Sequence, residues 1–320
     1  MLKIYQPSSP VLNVVAGQNA TLDLNAGPRY HKIDLIATVT KTAATSGFAS
    51  ATVADALALL NVKVNTISKR QHLATELDYI NTRWAAGLGV KVYDNIANDL
   101  VTAVADTTSG SNTIRTTTFV LPVLLAEPFR DTYAARDSFA WPTQWKSGKT
   151  VNLQIEIGIP NNSGISAPVV RAMELIDFAF GSNVNGADIM PITHWFRQPE
   201  TYSGTALAIR KWPFSGIVQQ ITAFCASGDD VATFEVKGDN VTKFKGSKAA
   251  LDLLNNHYGW NTGGTNADRL DLGFDFSDNA ADSIDMTQFG VFELDLTLTQ
   301  AVNSNKVITL LSQVYRDALA

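Results

Sequence analysis

The sequence has little charge and almost no cysteine. Charged residues make up 17% of the 320 residues, below the roughly 25% usual in soluble domains, and this favours a surface that neighbouring molecules cover. The single cysteine, Cys225, excludes an intrachain disulfide and indicates folding in a reducing compartment. We interpret it as a small buried hydrophobe.

Basic runs and long apolar runs are also lacking. No run of Lys or Arg exceeds Lys69–Arg70, and the formal net charge is −5. Sequence-independent binding of nucleic acid needs a row of basic residues on the surface. We therefore expect no direct nucleic-acid role. The longest apolar run covers residues 119–126, too short for a membrane span of about 20 residues. The first 17 residues contain no continuous apolar stretch, so we expect no signal peptide.

Motifs of the common enzyme classes are missing as well. There is no G-x-S-x-G nucleophile elbow. The stretch SGKT at 147–150 resembles the end of a phosphate-binding loop, but Thr143 stands where the first glycine is required. Four histidines are widely separated, which favours structural or surface roles over a clustered metal site: His31, His72, His194 and His257. We therefore predict no enzyme, with no catalytic and no cofactor-binding residues.

Strand-like alternation is what the sequence does contain, and it occurs in two similar series. In KTVNLQIEIGIP, residues 149–160, apolar residues alternate with Asn152, Gln154 and Glu156; residues 292–298 repeat this pattern. Such a period of two is typical of a strand with one buried face. Two such strands in matching settings indicate a duplicated β unit.

Helical spacing precedes each of these strands. Residues 69–84 and 247–260 both have apolar residues at helical intervals and both end at a tryptophan, and Ser247 is a candidate N-cap of the second segment. A turn is predicted around Gly238–Asp239–Asn240. Helical spacing also recurs at 92–104 and at 306–320, where we predict a C-terminal amphipathic helix.

The fold class that follows is all-β, with short helices in loops. Both halves of the chain contain the same series of predicted elements: a strand, short strands, a short helix, an alternating strand, a long loop and an alternating strand. This shared order is an internal repeat. We predict two tandem eight-stranded jelly rolls. The first covers 1–165 with an N-terminal arm, and the second covers 166–320 with the C-terminal helix.

An acidic loop is the one candidate metal site. It contains Asp275, Asp278, Asp282 and Asp285, and hard oxygen ligands of this kind could hold a structural Ca²⁺. The spacing lacks the EF-hand pattern and its closing glutamate. A solvated loop with capping aspartates is the interpretation we favour.

Aromatic residues concentrate in the stretch 126–148, which has Arg130 and Arg136 between them. The aromatic residues are Phe129, Tyr133, Phe139, Trp141 and Trp145. They are compatible with a partner interface, with a local hydrophobic cluster and, less well, with a sugar site.

The order of segments resembles the double jelly-roll major capsid proteins of tailless, membrane-containing icosahedral bacteriophages of the tectivirus, corticovirus and finnlakevirus type. Three stretches carry the likeness, which extends over roughly residues 30–300. They are VKVNTISKRQHLATELDYINTRW (62–84), FVLPVLL with the aromatic loop and VNLQIEI (119–157), and the repetition of this scheme at 217–299.

This resemblance implies a structural protein of the virion capsid, assembled in the host cytoplasm. Homotrimers would form pseudo-hexagonal capsomers that tile an icosahedral shell, with penton and minor capsid or membrane proteins as further partners and an internal lipid membrane beneath. The resemblance places residues 1–30 and the C-terminal helix at the inner side or between neighbours, and 126–148 in an outward loop or subunit contact. Two alternatives stay open: a spike or lectin-like module that binds glycans, and a double jelly-roll hydrolase that acts on glycans.

Overall fold

A computed structural model describes most of the chain, which forms two compact units. The first unit comprises the residues up to Ile192 together with Asp317–Leu319, and the second comprises Thr193–Arg316. The described residues are 2–44, 51–87, 104–109, 112–127, 137, 139–166, 168–225, 231–257, 269–274 and 283–319.

The first unit is built mainly of antiparallel strands. Its strands are β1 (Ile4–Pro7), β2 (Asn19–Leu24), β3 (Arg29–Ala44), β4 (Leu59–Val64), β5 (Ile67–Leu73), β6 (Val104–Ser109), β7 (Asn112–Leu124), β8 (Trp141–Pro142), β9 (Leu153–Gly158), β10 (Val169–Asp177), β11 (Asn183–Val184) and β12 (Ala187–Asp188). Its helices are α1 (Val53–Ala56) and α2 (Ala74–Gly87). One sheet has the order β1-β10-β3-β7-β6, with β8 beside β3, and β5, β4, β9 and β2 pair in that order.

Strand β9 shows how the sequence pattern places the core of this unit. Leu153, Ile155 and Ile157 are fully buried, while the intervening Gln154 and Glu156 are half-buried. The strand pairs antiparallel with β4 on one side and β2 on the other. The alternation in the sequence therefore predicted a strand with one core-facing side, and the structure confirms it.

The second unit is also mainly β. Its elements are β13 (Pro191–Ile209), β14 (Ile217–Phe224), β15 (Val231–Gly238), β16 (Val241–Ser247), α3 (Lys248–His257), β17 (Arg269–Gly273), β18 (Ile284–Asp285), a short 3₁₀ helix (Met286–Gln288) and β19 (Phe292–Asp317). Strand β19 pairs with β15 along residues 292–298 and with β14 along residues 309–315. Its buried residues join one hydrophobic cluster with those of β14, β15 and β17.

The predicted duplication is present in the pairing of the strands. In the first unit the hairpin β4–β5 leads into α2, and β9 returns to pair with β4. In the second unit the hairpin β15–β16 leads into α3, and the start of β19 returns to pair with β15. Both hairpins turn through two residues of positive φ, Asn65–Thr66 and Asp239–Asn240, as type I′ turns require. The turn predicted from Gly238–Asp239–Asn240 is thus confirmed.

The predicted C-terminal helix over 306–320 is wrong, because this segment forms the last part of β19. Residues 308–314 are all buried, so the strand is covered on both faces and its sequence shows no alternation. A strand that is buried on both faces, in which Thr309, Ser312 and Gln313 interrupt the apolar residues, cannot be distinguished from a helix by periodicity alone. The β-branched Val307, Ile308, Thr309 and Val314 were the signal that favoured a strand.

The division between the units lies later in the chain than residue 165. Strand β10 pairs with β3 over nine residues and so completes a sheet of the first unit. The end of β19 pairs with β14 in the corresponding way. The helix expected over 92–104 lies almost wholly outside the described residues, and its last residue, Val104, begins β6.

Candidate functional site

A buried polar cluster joins β3 to the end of β10. Asp177, whose side chain is 1% exposed, accepts hydrogen bonds from Arg29 Nε at 3.0 Å and Nη2 at 2.6 Å. Its Oδ2 lies 2.9 Å from His31 Nε2. The backbone amide of Ala179 donates to Oδ1 at 2.9 Å. One carboxylate therefore fixes two residues of β3 and the turn that follows β10.

The other imidazole nitrogen connects this cluster to the N-terminal segment. His31 Nδ1 lies 3.6 Å from Asp137 Oδ1. The same oxygen accepts a 2.7 Å hydrogen bond from Lys3 Nζ, and the Asp137 carbonyl accepts one from Arg29 Nη1 at 3.2 Å. The cluster thus links residues that are far apart in the sequence.

Burial and charge act in opposite directions on the two titratable partners. Burial lowers the pKa of His31, and the hydrogen bond that the His31 ring donates to Asp177 opposes that shift. Burial alone would raise the pKa of Asp177, but hydrogen bonds from Arg29, the Ala179 amide and His31 hold it well below its usual range. Asp177 is therefore a carboxylate at neutral pH.

Strand β1 is attached to the same sheet by two further carboxylates. The Tyr5 hydroxyl donates to Asp34 Oδ2 at 2.8 Å, and Gln6 Nε2 donates to Glu174 Oε1 at 2.8 Å. Both carboxylates are buried. Burial and the Asp34 hydrogen bond raise the pKa of Tyr5 to about 12, so the phenol remains a donor. The groups around Asp177 satisfy one another, whereas one oxygen each of Asp34 and Glu174 is buried without a hydrogen-bond partner. The paired groups hold β1 and β10 against β3, which is a structural role.

The acidic loop lies mostly outside the described residues: Asp275, Asp278 and Asp282 belong to the part not described, and only Asp285 is seen. Its Oδ1 accepts from the Thr287 amide at 3.0 Å and from the Thr287 hydroxyl at 2.6 Å, and these bonds lower its pKa. Asp285 thus caps the 3₁₀ helix, as a capping aspartate would. The structural calcium site stays a prediction.

The histidines do not converge on a metal site. His72 is fully buried, and burial lowers its pKa to about 3 despite a hydrogen-bonding contact with the Leu73 carbonyl. His194 is buried on β13 and stacks with Phe196 at 6.0 Å between ring centroids. Among the described residues, no group of three or more His, Cys, Asp or Glu side chains could hold a metal ion. No helix in the same part of the chain is long and apolar enough to cross a membrane.

Two aromatic residues of 126–148 pack inside the first unit, while Phe139 is half-buried. Trp141 and Trp145 are 0% and 1% exposed, and the Arg70 guanidinium lies 4.9 Å from the Trp141 ring centroid. Trp145 Nε1 points at two backbone carbonyls, those of Ser182 at 3.2 Å and Ile189 at 3.1 Å. For these two residues the local-cluster interpretation is therefore correct. Phe129, Tyr133, Arg130 and Arg136 lie outside the described residues.

Comparison with known proteins gives matches in structure only. No protein-family model matches the chain, and no curated protein matches it. The major capsid protein P2 of bacteriophage PM2 superposes with a TM-score of 0.69 and 14% identity, covering 98% of both chains. The major capsid protein of Sulfolobus turreted icosahedral virus gives 0.64 and 14%, covering 98% of this chain and 97% of that one.

A third match extends the same result to another virus. A capsid chain of the virus PBCV-1 gives a TM-score of 0.65 and 10% identity, covering 98% of this chain and 93% of that one. The fold is a double jelly roll. The predicted fold class is thereby confirmed, apart from the C-terminal helix. Two of these three matching structures are viral major capsid proteins, and the third is a chain of a virus capsid.

The sequence analysis missed the polar cluster around Asp177. Arg29 and His31 are separated from Asp177 by 148 and 146 positions, and no local spacing connects them. The only sequence signal was the charged residues inside otherwise apolar strands, such as Asp34 in HKIDLIATVT.

Proposed function

We propose that this protein is a viral major capsid protein that assembles with itself and has no enzymatic role. The observation that supports this best is the extent of the structural match, since 98% of this chain covers 98% of the PM2 capsid protein. Both jelly rolls and their connection therefore have counterparts in one coat subunit. The glycan-binding module and the hydrolase considered from the sequence have no support among the matching structures.

The duplicated unit suggests how copies would be arranged. Three chains with two similar units each offer six similar units around one axis, and closed cyclic symmetry is the usual arrangement of identical subunits. We therefore propose a homotrimer that serves as a pseudo-hexagonal capsomer in an icosahedral shell over an internal membrane. Penton proteins and minor capsid or membrane proteins would be its other partners, with assembly in the host cytoplasm and residence in the virion.

Native mass spectrometry of the purified chain is the first test. A trimer has three times the 34.6 kDa of the chain, about 104 kDa, and negative-stain images of it should have a six-sided outline. Incubation with lipid vesicles then tests whether the trimers assemble into closed shells. A chain that stays monomeric at high concentration would contradict the proposal.

A further inference from the structure

One sheet of the first unit has a face that points away from the core. In β3 the core-facing residues include Leu35 and Ala37, both fully buried. On the other face, one cross-strand row contains Arg171, Ile36 and Val120, and the next contains Val169, Thr38 and Thr118. Val120 and Val169 are 36% and 57% exposed, and Ile36 and Thr38 are half-buried. We call the six residues of these two rows the outer face of the first unit.

The corresponding face of the second unit is buried. There β14, β17 and the end of β19 take the places of β3, β7 and β10. In β19, Leu310 belongs to the hydrophobic cluster of that unit, so Leu311 points to the opposite face. Leu311 and its cross-strand partner Thr222 are 1% and 0% exposed, and the next pair on that face, Gln220 and Gln313, is buried too. A single chain therefore covers this face in its second unit and leaves it open in its first.

The internal repeat gives this difference in burial a meaning. In a closed ring of similar units, each unit presents the same face to its neighbour. The face is already covered in the second unit of a single chain, so the first unit is where another chain would have to cover it. Exposed apolar residues that occur singly need no explanation, but this face is selected by the burial of its counterpart and not by its exposure alone.

The chemistry of the outer face suits contact with a protein. The hydroxyl oxygens of Thr38 and Thr118 lie 2.9 Å apart and form a hydrogen bond across the strands. A partner can therefore cover these two groups without leaving a hydroxyl unpaired, which would cost free energy. Val120 and Val169 supply apolar surface, and the exposed Arg171 lies beside them. Apolar side chains with polar and charged groups around them are the usual composition of a protein–protein interface.

We infer that the outer face of the first unit binds the second unit of another copy of this chain. The inference rests on the proposed function, because it needs three chains to close into a ring of six similar units. First and second units alternate around such a ring, so the neighbour of a first unit across the chain boundary is a second unit. The outer face is thereby assigned to the interface that holds the trimer together.

Thiol labelling tests the contact directly. The full-length chain with Cys225→Ser is made in two forms, one with Val169→Cys and one with Ile67→Cys, and the trimer of each is isolated by size exclusion and treated with a maleimide. We expect Val169→Cys to react about tenfold more slowly or less, because the centre of an interface excludes water. Equal labelling rates at the two positions in the trimer would overturn the inference.

The control position is matched to the test position in the single chain. Ile67 is 60% exposed, close to the 57% of Val169. Its counterpart in the second unit is Val241, since each residue begins the second strand of its hairpin. Val241 is 57% exposed. Because this position is open in both units, the repeat predicts that no neighbouring unit covers it, and its labelling should stay fast in the trimer.

A pair of charged variants measures how much the contact contributes. Val120→Glu with Val169→Glu should weaken self-association about tenfold or more, as loss of central apolar contacts does, while near-ultraviolet circular dichroism stays unchanged. Ile67→Glu with Val241→Glu adds the same two charges at the control positions and should associate as the wild type does. Sedimentation equilibrium gives the association constants.

The outcomes separate this inference from the proposed function. Wild-type chain that never associates contradicts the proposed function, and the contact fails with it. Wild-type trimers in which Val169→Cys stays reactive, or normal assembly of the Val120 and Val169 double variant, contradict only the assignment of the outer face. If Val169→Cys is protected only after phosphatidylglycerol vesicles are added to the trimers, the face contacts lipid and the inference is wrong.

Discussion

The two units have the same order of strands but different interiors. The first unit buries many charged or titratable side chains, including His31, Asp34, Arg70, His72, Glu76, Glu127, Glu174 and Asp177. The second is filled mainly by apolar side chains, among them the ring pairs Phe196–Phe214 at 4.9 Å, Phe234–Phe244 at 5.0 Å and Trp212–Phe292 at 5.4 Å between centroids. Strand pattern and turns are therefore sufficient to specify the topology, and the chemistry of the core can differ. The two units should respond differently to truncation, charge removal and acid.

Truncating an aromatic side chain should have the largest effect, and the effect should fall on the second unit. Phe234 is 2% exposed and packs in its hydrophobic cluster. Phe234→Ala should lower the free energy of unfolding by about 4 kcal/mol, because it removes buried apolar surface and leaves a cavity. Urea denaturation gives the size, and hydrogen exchange in β14 and β15 gives the location. Equal acceleration of exchange in β3 and β10 would mean that the two cores are not separate.

Removing one buried charge should lower the stability of the first unit, as truncating an aromatic side chain lowers that of the second. Asp177→Asn leaves Arg29 and His31 without their carboxylate, and loss of one partner of a buried ion pair costs about 3 kcal/mol. We expect this loss in urea denaturation, with faster exchange in β1 and β10.

Its control is Asp295→Asn in the second unit, where Lys237 donates to Asp295 at a more exposed position. Exposed ion pairs contribute little, so the control should unfold almost as the wild type does. Similar losses in both variants would contradict the contrast between the units.

Acid should act on the first unit through His72 and His31, whose pKa values are lowered by burial. His72 has a folded-state pKa of about 3, below its usual value near 6.5. Because burial favours the neutral ring, the associated stability is fully present above pH 6.5 and is lost as the pH falls below it. At pH 5 the loss should be about 2 kcal/mol, and the lowered pKa of His31 acts in the same direction.

Thermal unfolding at pH 7 and pH 5 measures this loss, and hydrogen exchange should assign it to the first unit. His72→Gln should flatten the pH dependence. If His72→Gln lost as much thermal stability between pH 7 and pH 5 as the wild type does, His72 would not be the group responsible.

The smallest expected effect compares the two helices that follow the hairpins. In α3 the Ser247 hydroxyl accepts from the Ala250 amide at 3.2 Å, which confirms the predicted N-cap. At α2 the Glu76 side chain accepts from the Leu73 amide at 2.8 Å instead. Ser247→Ala should cost about 1 kcal/mol, with faster exchange confined to α3; Ser247→Asp is the matched variant that should restore the cap.

Local patterns were enough to predict the repeat. Alternation identified β9 and the start of β19, the Asp239–Asn240 turn identified the hairpin, and helical spacing identified α2 and α3. The first of these helices was predicted to begin too early, because residues 69–73 belong to strand β5. These features are each specified within a few residues by side-chain period or backbone conformation.

What could not be predicted depends on residues that meet only in the folded chain. The end of β19 is buried on both faces, so its period carried no information. Asp177 meets Arg29 and His31 across two paired strands. Gly181 lies against the Trp145 indole, where an added Cβ would be 2.1 Å from Nε1, and no spacing in the sequence connects residues 145 and 181.

The route of β19 also determines when each unit can form during synthesis. The first unit's strands β3, β7 and β10 are all complete once residue 177 has been made. Strand β14, by contrast, pairs with β17 but waits for residues 309–315 as its other long partner, a closure over more than 80 positions. Domains generally fold as units and in order of synthesis. A ribosome making this chain should therefore carry a folded first jelly roll while the second is still an open sheet. The edges of that sheet would be exposed to the nascent chains of neighbouring ribosomes on the same mRNA.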